Sequence, residues 1–274
     1  MTAPSDTSPA HARPAAAARV VLITGAARRI GRALALGFAG RGWDVAVHFG
    51  ASKAQADEVV AEIVALGRRA VALQADLAVE AEVARLVPDC TAALGRPVCI
   101  VNNASSFEED TAQDVGYERL LQQTAVNVGA PLVLARMLYE ATPDAARTDE
   151  SQRGVVVNVL DQKLYNMNPD YLSYTLTKAA LQTATVALAQ ALAPKLRVVG
   201  LAPGLTLQSA GQTPDGFETA HRVTPLGRAS RPEDVVAAAL YLADATSVTG
   251  TTLVVDGGQH LVPSPRDVMF LTGA

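Results

Sequence analysis

Val20-Val21-Leu22-Ile23-Thr24-Gly25-Ala26-Ala27-Arg28-Arg29-Ile30-Gly31 decides how this chain is read. Four aliphatic residues run directly into a turn of small residues, and the turn opens a helical stretch. Small side chains let the backbone approach a ligand closely. The helix N-terminus offers unpaired N–H groups and the positive end of a dipole, which together suit a pyrophosphate. A strand-to-helix junction without a ligand has much the same composition, so the remainder of the chain must decide.

Outward from this stretch, short β-branched runs alternate with longer Ala/Leu-rich segments. Strands are expected at 20–24, 44–49, 69–74, 98–102, 155–160, 197–201 and 252–255. Helices are expected at 31–40, 53–66, 80–94, 117–141, 171–193 and 232–243. Most of the strands are continuous apolar runs, as when helices cover both faces of a sheet. The expectation is an α/β fold, a Rossmann-type doubly wound sheet of seven parallel strands flanked by helices, with its ligand site above the strands' carboxyl ends. The Gly/Pro/Thr-rich stretch 203–225 is long for a connection and reads as a lid.

The chain has 274 residues, 49% hydrophobic and 18% charged, with a formal charge of −4. This suits one catalytic domain over 19–274. Residues 1–18, rich in Ala, Pro and Ser without an apolar core, read as a flexible leader rather than a secretory signal. Residues from about 261 read as a C-terminal extension. No Lys/Arg cluster points to nucleic acid, and no apolar run approaches the ~18 residues of a membrane span. Cys90 and Cys99, in a helix and a buried strand, make a disulfide a poor expectation and fit a cytoplasmic protein. His11, His48, His221 and His260 form no ligand cluster, so no metal is expected.

The second strand is followed by His48-Phe49-Gly50-Ala51-Ser52-Lys53, with no acid between Asp44 and Asp57. NAD enzymes place Asp or Glu here for the ribose 2′-hydroxyl. Without it, Arg29 and Ser52, with Lys53 beside them, are placed to hold a 2′-phosphate, so the cofactor reads as NADPH. Asp76-Leu77 after the third strand and Asn102-Asn103-Ala104 after the fourth are turns that also suit the adenine and nicotinamide sites. In Tyr174-Thr175-Leu176-Thr177-Lys178 the spacing puts phenol and ammonium on one helix face. A neighbouring Lys⁺ is expected to pull the tyrosine pKa down toward neutrality.

This ordered set resembles the short-chain dehydrogenase/reductase family from about residue 20 to about 260. The resemblance rests on Thr24-Gly25 through Gly31, Asn102-Asn103-Ala104, Asn127, Tyr174, Lys178, Pro203-Gly204, Pro225-Leu226-Gly227-Arg228 and Val255-Asp256-Gly257-Gly258. It implies hydride transfer with NAD(P), commonly in a homotetramer. It also implies cofactor contacts from Gly25, Arg28, Arg29, Ile30, Gly31, Ser52, Asp76, Leu77, Asn103, Ala104, Tyr174, Lys178, Pro203 and Gly204.

The departures narrow the resemblance. Arg29 replaces the loop's middle glycine, Ser105 replaces the glycine of Asn-Asn-Ala-Gly, and Asp161 stands where the family usually has Ser. These departures occur together in pteridine reductases, whose Asn-Asn-Ala-Ser-Ser-Phe turn Asn102 to Phe107 reproduces. That branch implies Phe107 stacked on a pterin-like substrate and Asp161 and Tyr174 in proton transfer. Lys178 would bind the ribose and tune Tyr174, Asn127 would hold a water behind Lys178, and Tyr171 and Ser105 would line the site. After the second strand some members carry Arg where this chain has Ala51. The 205–222 loop matches nothing carried over.

The reading is NADPH-dependent reduction of a ring C=N in a pterin or dihydropterin. A carbonyl or 3-oxoacyl reductase is the first alternative, and Asp161 speaks against it, because a carboxylate facing a developing alkoxide destabilises it. A non-catalytic NADPH sensor is the second, and it needs neither Tyr174 nor Lys178. From the cofactor argument, NADPH should bind more tightly than NADH. One charged hydrogen bond is worth on the order of 1.5–3 kcal/mol, or about tenfold to a hundredfold. Equal affinities in a fluorescence titration would overturn the assignment.

Overall fold

The computed structural model describes residues 19–208, 214–222, 224–228 and 230–271. The seven strands are β1 (Val20–Ile23), β2 (Asp44–Phe49), β3 (Ala70–Gln74), β4 (Cys99–Asn102), β5 (Gly154–Val159), β6 (Leu196–Pro203) and β7 (Thr252–Val255). They form one sheet in the order β3-β2-β1-β4-β5-β6-β7, and every pairing is parallel. The helices are α1 (Arg29–Gly40), α2 (Lys53–Ala65), α3 (Glu80–Leu94), α4 (Tyr117–Thr124), α5 (Ala130–Ala141), α6 (Leu172–Leu192), α7 (Pro214–Arg222), α8 (Pro232–Asp244) and the single turn α9 (Val268–Leu271). Ends differ from the sequence reading by one or two residues, as fraying ends do.

Alternation along the strands builds two cores. Val21, Ile23, Val45, Val47 and Val157 face Leu34 and Phe38 of α1, Ile63 of α2 and Leu242 of α8. Their neighbours Val20, Leu22, Ile100, Val156 and Val198 face Leu86 of α3 and Leu134 and Leu138 of α5. The sheet is therefore covered on both sides, and its buried strands need no polar face. Strand order reverses between β1 and β4, and the crevice above their carboxyl ends is where this architecture receives ligands.

Two features differ from expectation. The 203–225 stretch contains α7, whose signal Gly216 and the surrounding Pro and Thr residues dilute in the sequence. The long helix expected over 117–141 is interrupted by a π turn, Ala125–Gly129, with Asn127 buried inside it. The expected leader, 1–18, lies outside the described residues. Cys90 and Cys99 are buried free thiols, each pushed up to about 12 by burial. Among the described residues no helix is long and apolar enough to cross a membrane.

A buried polar bridge positions α6. Asn102 Nδ2 donates to Asn158 Oδ1 at 2.8 Å, and Asn158 Nδ2 donates to Thr185 Oγ1 at 2.9 Å, linking β4, β5 and α6. Asn158→Leu strands the Asn102 amide and should cost about 1–3 kcal/mol in urea unfolding. An unchanged midpoint would show that the bridge holds nothing.

Candidate active site

The phosphate-type loop is fixed from two sides. Thr24 Oγ1 accepts N–H groups from Asn103 and Ala104, both at 3.0 Å. Asn103 Nδ2 donates back to Thr24 O at 2.9 Å and Gly25 O at 3.3 Å. Gly25 has φ +62°, a conformation that favours glycine, and its N–H donates to His48 Nδ1 at 3.0 Å. His48 Nε2 lies 3.1 Å from Ala75 O, and burial lowers its pKa, so the ring stays neutral with its proton on Nε2. A side chain at Gly31 would run into the Gly25 carbonyl and Asn103. α1 begins with no side-chain cap and no acid in its first turn. The result is a cradle that fits a pyrophosphate.

The candidate cofactor residues do not all face one way. Arg28 reaches toward α2, donating to Gln55 Oε1 at 3.1 Å, on the side of Ser52. Lys53 pairs with Asp57 at 2.6 Å. Arg29 turns to the opposite side: its guanidinium donates to Gln208 O at 2.9 Å and Leu207 O at 3.4 Å. It lines the cavity that holds Asp161 and Tyr174. Arg29 has φ +52°, and in the structure its guanidinium rests on the 207–208 carbonyls. Asp76 caps its own turn through Ala78 N at 2.9 Å, Leu77 packs into the core, and Gly204, after Pro203, is pinned by N–H to Val255 O at 2.9 Å.

A cavity of about 330 Å³ gathers Arg29, Ile30, Phe107, Asp161, Tyr174 and Gly204. Tyr174 Oη donates to Asp161 Oδ2 at 2.8 Å, and Lys163 N donates to Asp161 Oδ1 at 2.8 Å. Burial raises the Asp161 carboxyl above its ordinary value, outweighing the amide of Lys163, the phenol and Lys178. Burial and then the Asp161 charge drive Tyr174 well above its ordinary range. The expected lowering of Tyr174 by Lys178 is thus reversed. Lys178 Nζ donates to Val159 O at 2.7 Å, and burial brings it down to about 8 against the pull of Asp161. At neutral pH it is charged, and the phenol keeps its proton.

The Asn127 side chain is fully engaged within the protein. Its Oδ1 accepts from Ser105 Oγ at 3.1 Å and Ser106 N at 2.8 Å, and its Nδ2 donates to Ser106 O and Thr177 Oγ1, both at 2.9 Å. The side chain clamps the 105–106 turn to α6 and has no hydrogen-bonding capacity left for a water. The turn presents Phe107, 46% exposed. Tyr171 lies behind it, stacked at 4.3 Å and 19°, with Tyr174 edge-on at 4.6 Å. Tyr171 thus backs the Phe107 ring instead of lining the cavity. It starts α6 at φ +55°, where buried Asp110 accepts Ser173 N at 2.9 Å and the Ser173 hydroxyl.

The extension after 261 returns to its own chain, and residues 262–268 line the same cavity. No local pattern signals this, nor the roles of His48, Asp110 and Lys163, because their partners are distant in the chain. For Asp161→Asn, the lost charge should lower the Lys178 titration from about 8 by on the order of one unit. Carbon-detected NMR of the lysine side chains, assigned by the signal missing in Lys178→Arg, reads this. An unmoved titration would mean that Asp161 and Lys178 are uncoupled.

Residues 25–260 match the family described as enoyl-(acyl carrier protein) reductase. Among solved structures, FolM alternative dihydrofolate reductase 1 of Brucella canis, complexed with NADP, is 38% identical with a TM-score of 0.84, over 90% of this chain and 96% of that one. The Brucella suis protein of the same name, also with NADP, is 39% identical with a TM-score of 0.84, over 90% and 97%. A 3-oxoacyl-[acyl-carrier-protein] reductase of Synechocystis is 30% identical over 245 residues, 88% of this chain and 96% of that protein. The chain belongs to the short-chain dehydrogenase/reductase family, in the group described as enoyl-(acyl carrier protein) reductase, and within it resembles the FolM proteins.

Proposed function

We propose that the protein reduces a pterin or dihydropterin with NADPH, adding hydride to a ring C=N carbon and a proton to the adjacent nitrogen. The observation that carries this is the 2.8 Å hydrogen bond from Tyr174 to Asp161 within the cavity beside Phe107. A developing alkoxide needs neutral donors around it, and a carboxylate there is unfavourable. A ring nitrogen that gains a proton instead benefits from a carboxyl whose proton affinity burial has raised. The NADP complexes of the Brucella proteins, and their description as alternative dihydrofolate reductases, support the same reading.

The cradle of Gly25, Ile30 and Gly31 fits the pyrophosphate, and Arg28 and Ser52 are the groups nearest to a 2′-phosphate role. Asp76 and Leu77 would border the adenine, and Asn103, Ala104, Pro203 and Gly204 the nicotinamide. When bound, NADPH supplies the hydride. Lys178 would hold the nicotinamide ribose, and Tyr174 and Asp161 would hold the proton at Oη and Oδ2. Phe107 would position the substrate ring through its exposed face, while Asn127 and Ser105 would fix the turn that carries it. The exposed apolar side chains of Tyr117 and Leu121 on α4 and Leu132 on α5 support self-association; the form proposed, from the family resemblance, is a cytoplasmic homotetramer.

The sign of the pH dependence follows from the raised Asp161 carboxyl. Below its shifted pKa the carboxyl itself carries a transferable proton; above it that proton is lost and only the less acidic Tyr174 phenol retains one. Turnover of a dihydropterin should therefore be highest on the acid side of neutrality and fall as pH rises. Asp161→Asn should lose ~10²–10⁴-fold in turnover and keep NADPH affinity. NADPH consumption with a dihydropterin, dihydrofolate and a 3-oxoacyl thioester is the test. Faster turnover of the thioester would overturn the proposal.

A further inference from the structure

We propose that residues 262–271 form a strap belonging to the active site, and that Asp267, latched to Lys163, is the positioning residue through which the strap shields Asp161 from water. The proposal rests on the proton role given to Asp161 above.

The strap is held at several points. Asn166 Nδ2 donates to Val262 O at 2.6 Å. Arg266 Nε donates to both Asp170 oxygens at 2.9 Å, and Asp267 N donates to Asp170 Oδ2 at 2.6 Å. Lys163 Nζ donates to Asp170 O at 2.6 Å and to Asp267 Oδ2 at 3.4 Å. Lys163 and Asp170 are only 3% and 4% exposed. Buried charges of this kind persist where partners are built for them, and here the strap brings those partners. Burial raises the Asp170 carboxyl, yet Arg266 and the Asp267 amide together hold it below its ordinary value. The Asp170 carboxylate that receives Arg266 and the Asp267 amide is therefore favoured in its ionised form.

Rings provide a second attachment. Phe270 stacks on Tyr171 at 6.1 Å and 21°, and Tyr171 stacks on Phe107 at 4.3 Å. Arg266 covers Phe270 at 4.6 Å. The strap thus supports the aromatic platform from behind and walls the cavity from the side.

Lys163 joins strap and chemistry in one residue, since its ammonium meets Asp267 while its N–H holds Asp161. Asp161 accepts from the Lys163 amide and from Tyr174, and the charges that act on it are Lys178 of α6 and Asp267 of the strap. Desolvation and the like charge of Asp267 both favour the protonated carboxyl. A site open on the strap side would lose both effects, and Asp161 would ionise at lower pH.

The test uses Asp267→Asn, Arg266→Gln and a chain ending after Leu261. The protonated-carboxyl infrared band of Asp161, assigned by its loss in Asp161→Asn, should titrate about one pH unit lower in each. The acid-side optimum should move with it, KM for the dihydropterin should rise severalfold, and NADPH affinity should be unchanged. If the shortened chain fails to fold, the two point variants decide. Unchanged infrared titration and KM in folded Asp267→Asn would reduce the strap to packing and overturn the proposal. A parent protein inert toward every pterin would overturn the proposed function instead, while the infrared titration still tests the strap.

Discussion

The clamp between Thr24 and Asn103 is the interaction on which the rest depends. β1 and β4 are the strands where the sheet changes winding direction, and nothing in backbone pairing fixes how their loops diverge. Thr24 Oγ1 accepts two N–H groups from the β4 turn while Asn103 Nδ2 donates to two carbonyls of the β1 turn. That reciprocal exchange sets the floor of the crevice. With it in place, α1 opens uncapped toward the crevice, His48 braces the loop from β2, and the 105–107 turn leaves toward the cavity.

On this floor three titratable groups share one desolvated volume. A carboxylate, a phenol and an ammonium do not titrate independently at such distances. Burial disfavours every charge, so Asp161 is pushed up, Lys178 comes down to about 8, and Tyr174 moves well above its usual range. The pair that survives at neutrality is a neutral phenol donating to a carboxyl, beside an ammonium directed at Val159 O. Burial, and after it the Asp161 charge, sets the upward direction of the Tyr174 shift.

Strain is concentrated at the same place. Arg29 and Tyr171 are the described non-glycine residues with positive φ; Arg29 lines the cavity, and Tyr171 lies behind Phe107, which does. A left-handed residue costs roughly 1–2 kcal/mol, so each must be held by its surroundings. Arg29 is held by the carbonyls of Leu207 and Gln208; Tyr171 is held between Phe107 and Phe270. These conformations accompany a guanidinium on the cavity wall and a ring behind Phe107.

The parallel seven-stranded sheet with its intervening helices, and the two residues of the Tyr174–Asp161 hydrogen bond, were legible along the chain. Apolar runs and helical periodicity arise from near neighbours, and the four-residue spacing of Tyr174 and Lys178 needs only a helix to become a shared face. Asp161, thirteen positions before Tyr174, was legible through its departure from a family pattern. Tertiary structure alone decided which way Arg29 turns, since its partners lie 178 and 179 residues away. It also placed Tyr171 behind Phe107, filled the hydrogen bonds of Asn127, and folded the C-terminal segment onto Asp170, 96 residues earlier. The direction of the Tyr174 shift belongs to this second group. A pKa depends on every charge that shares a buried volume and on how completely water is excluded from it, and neither can be read along one helix.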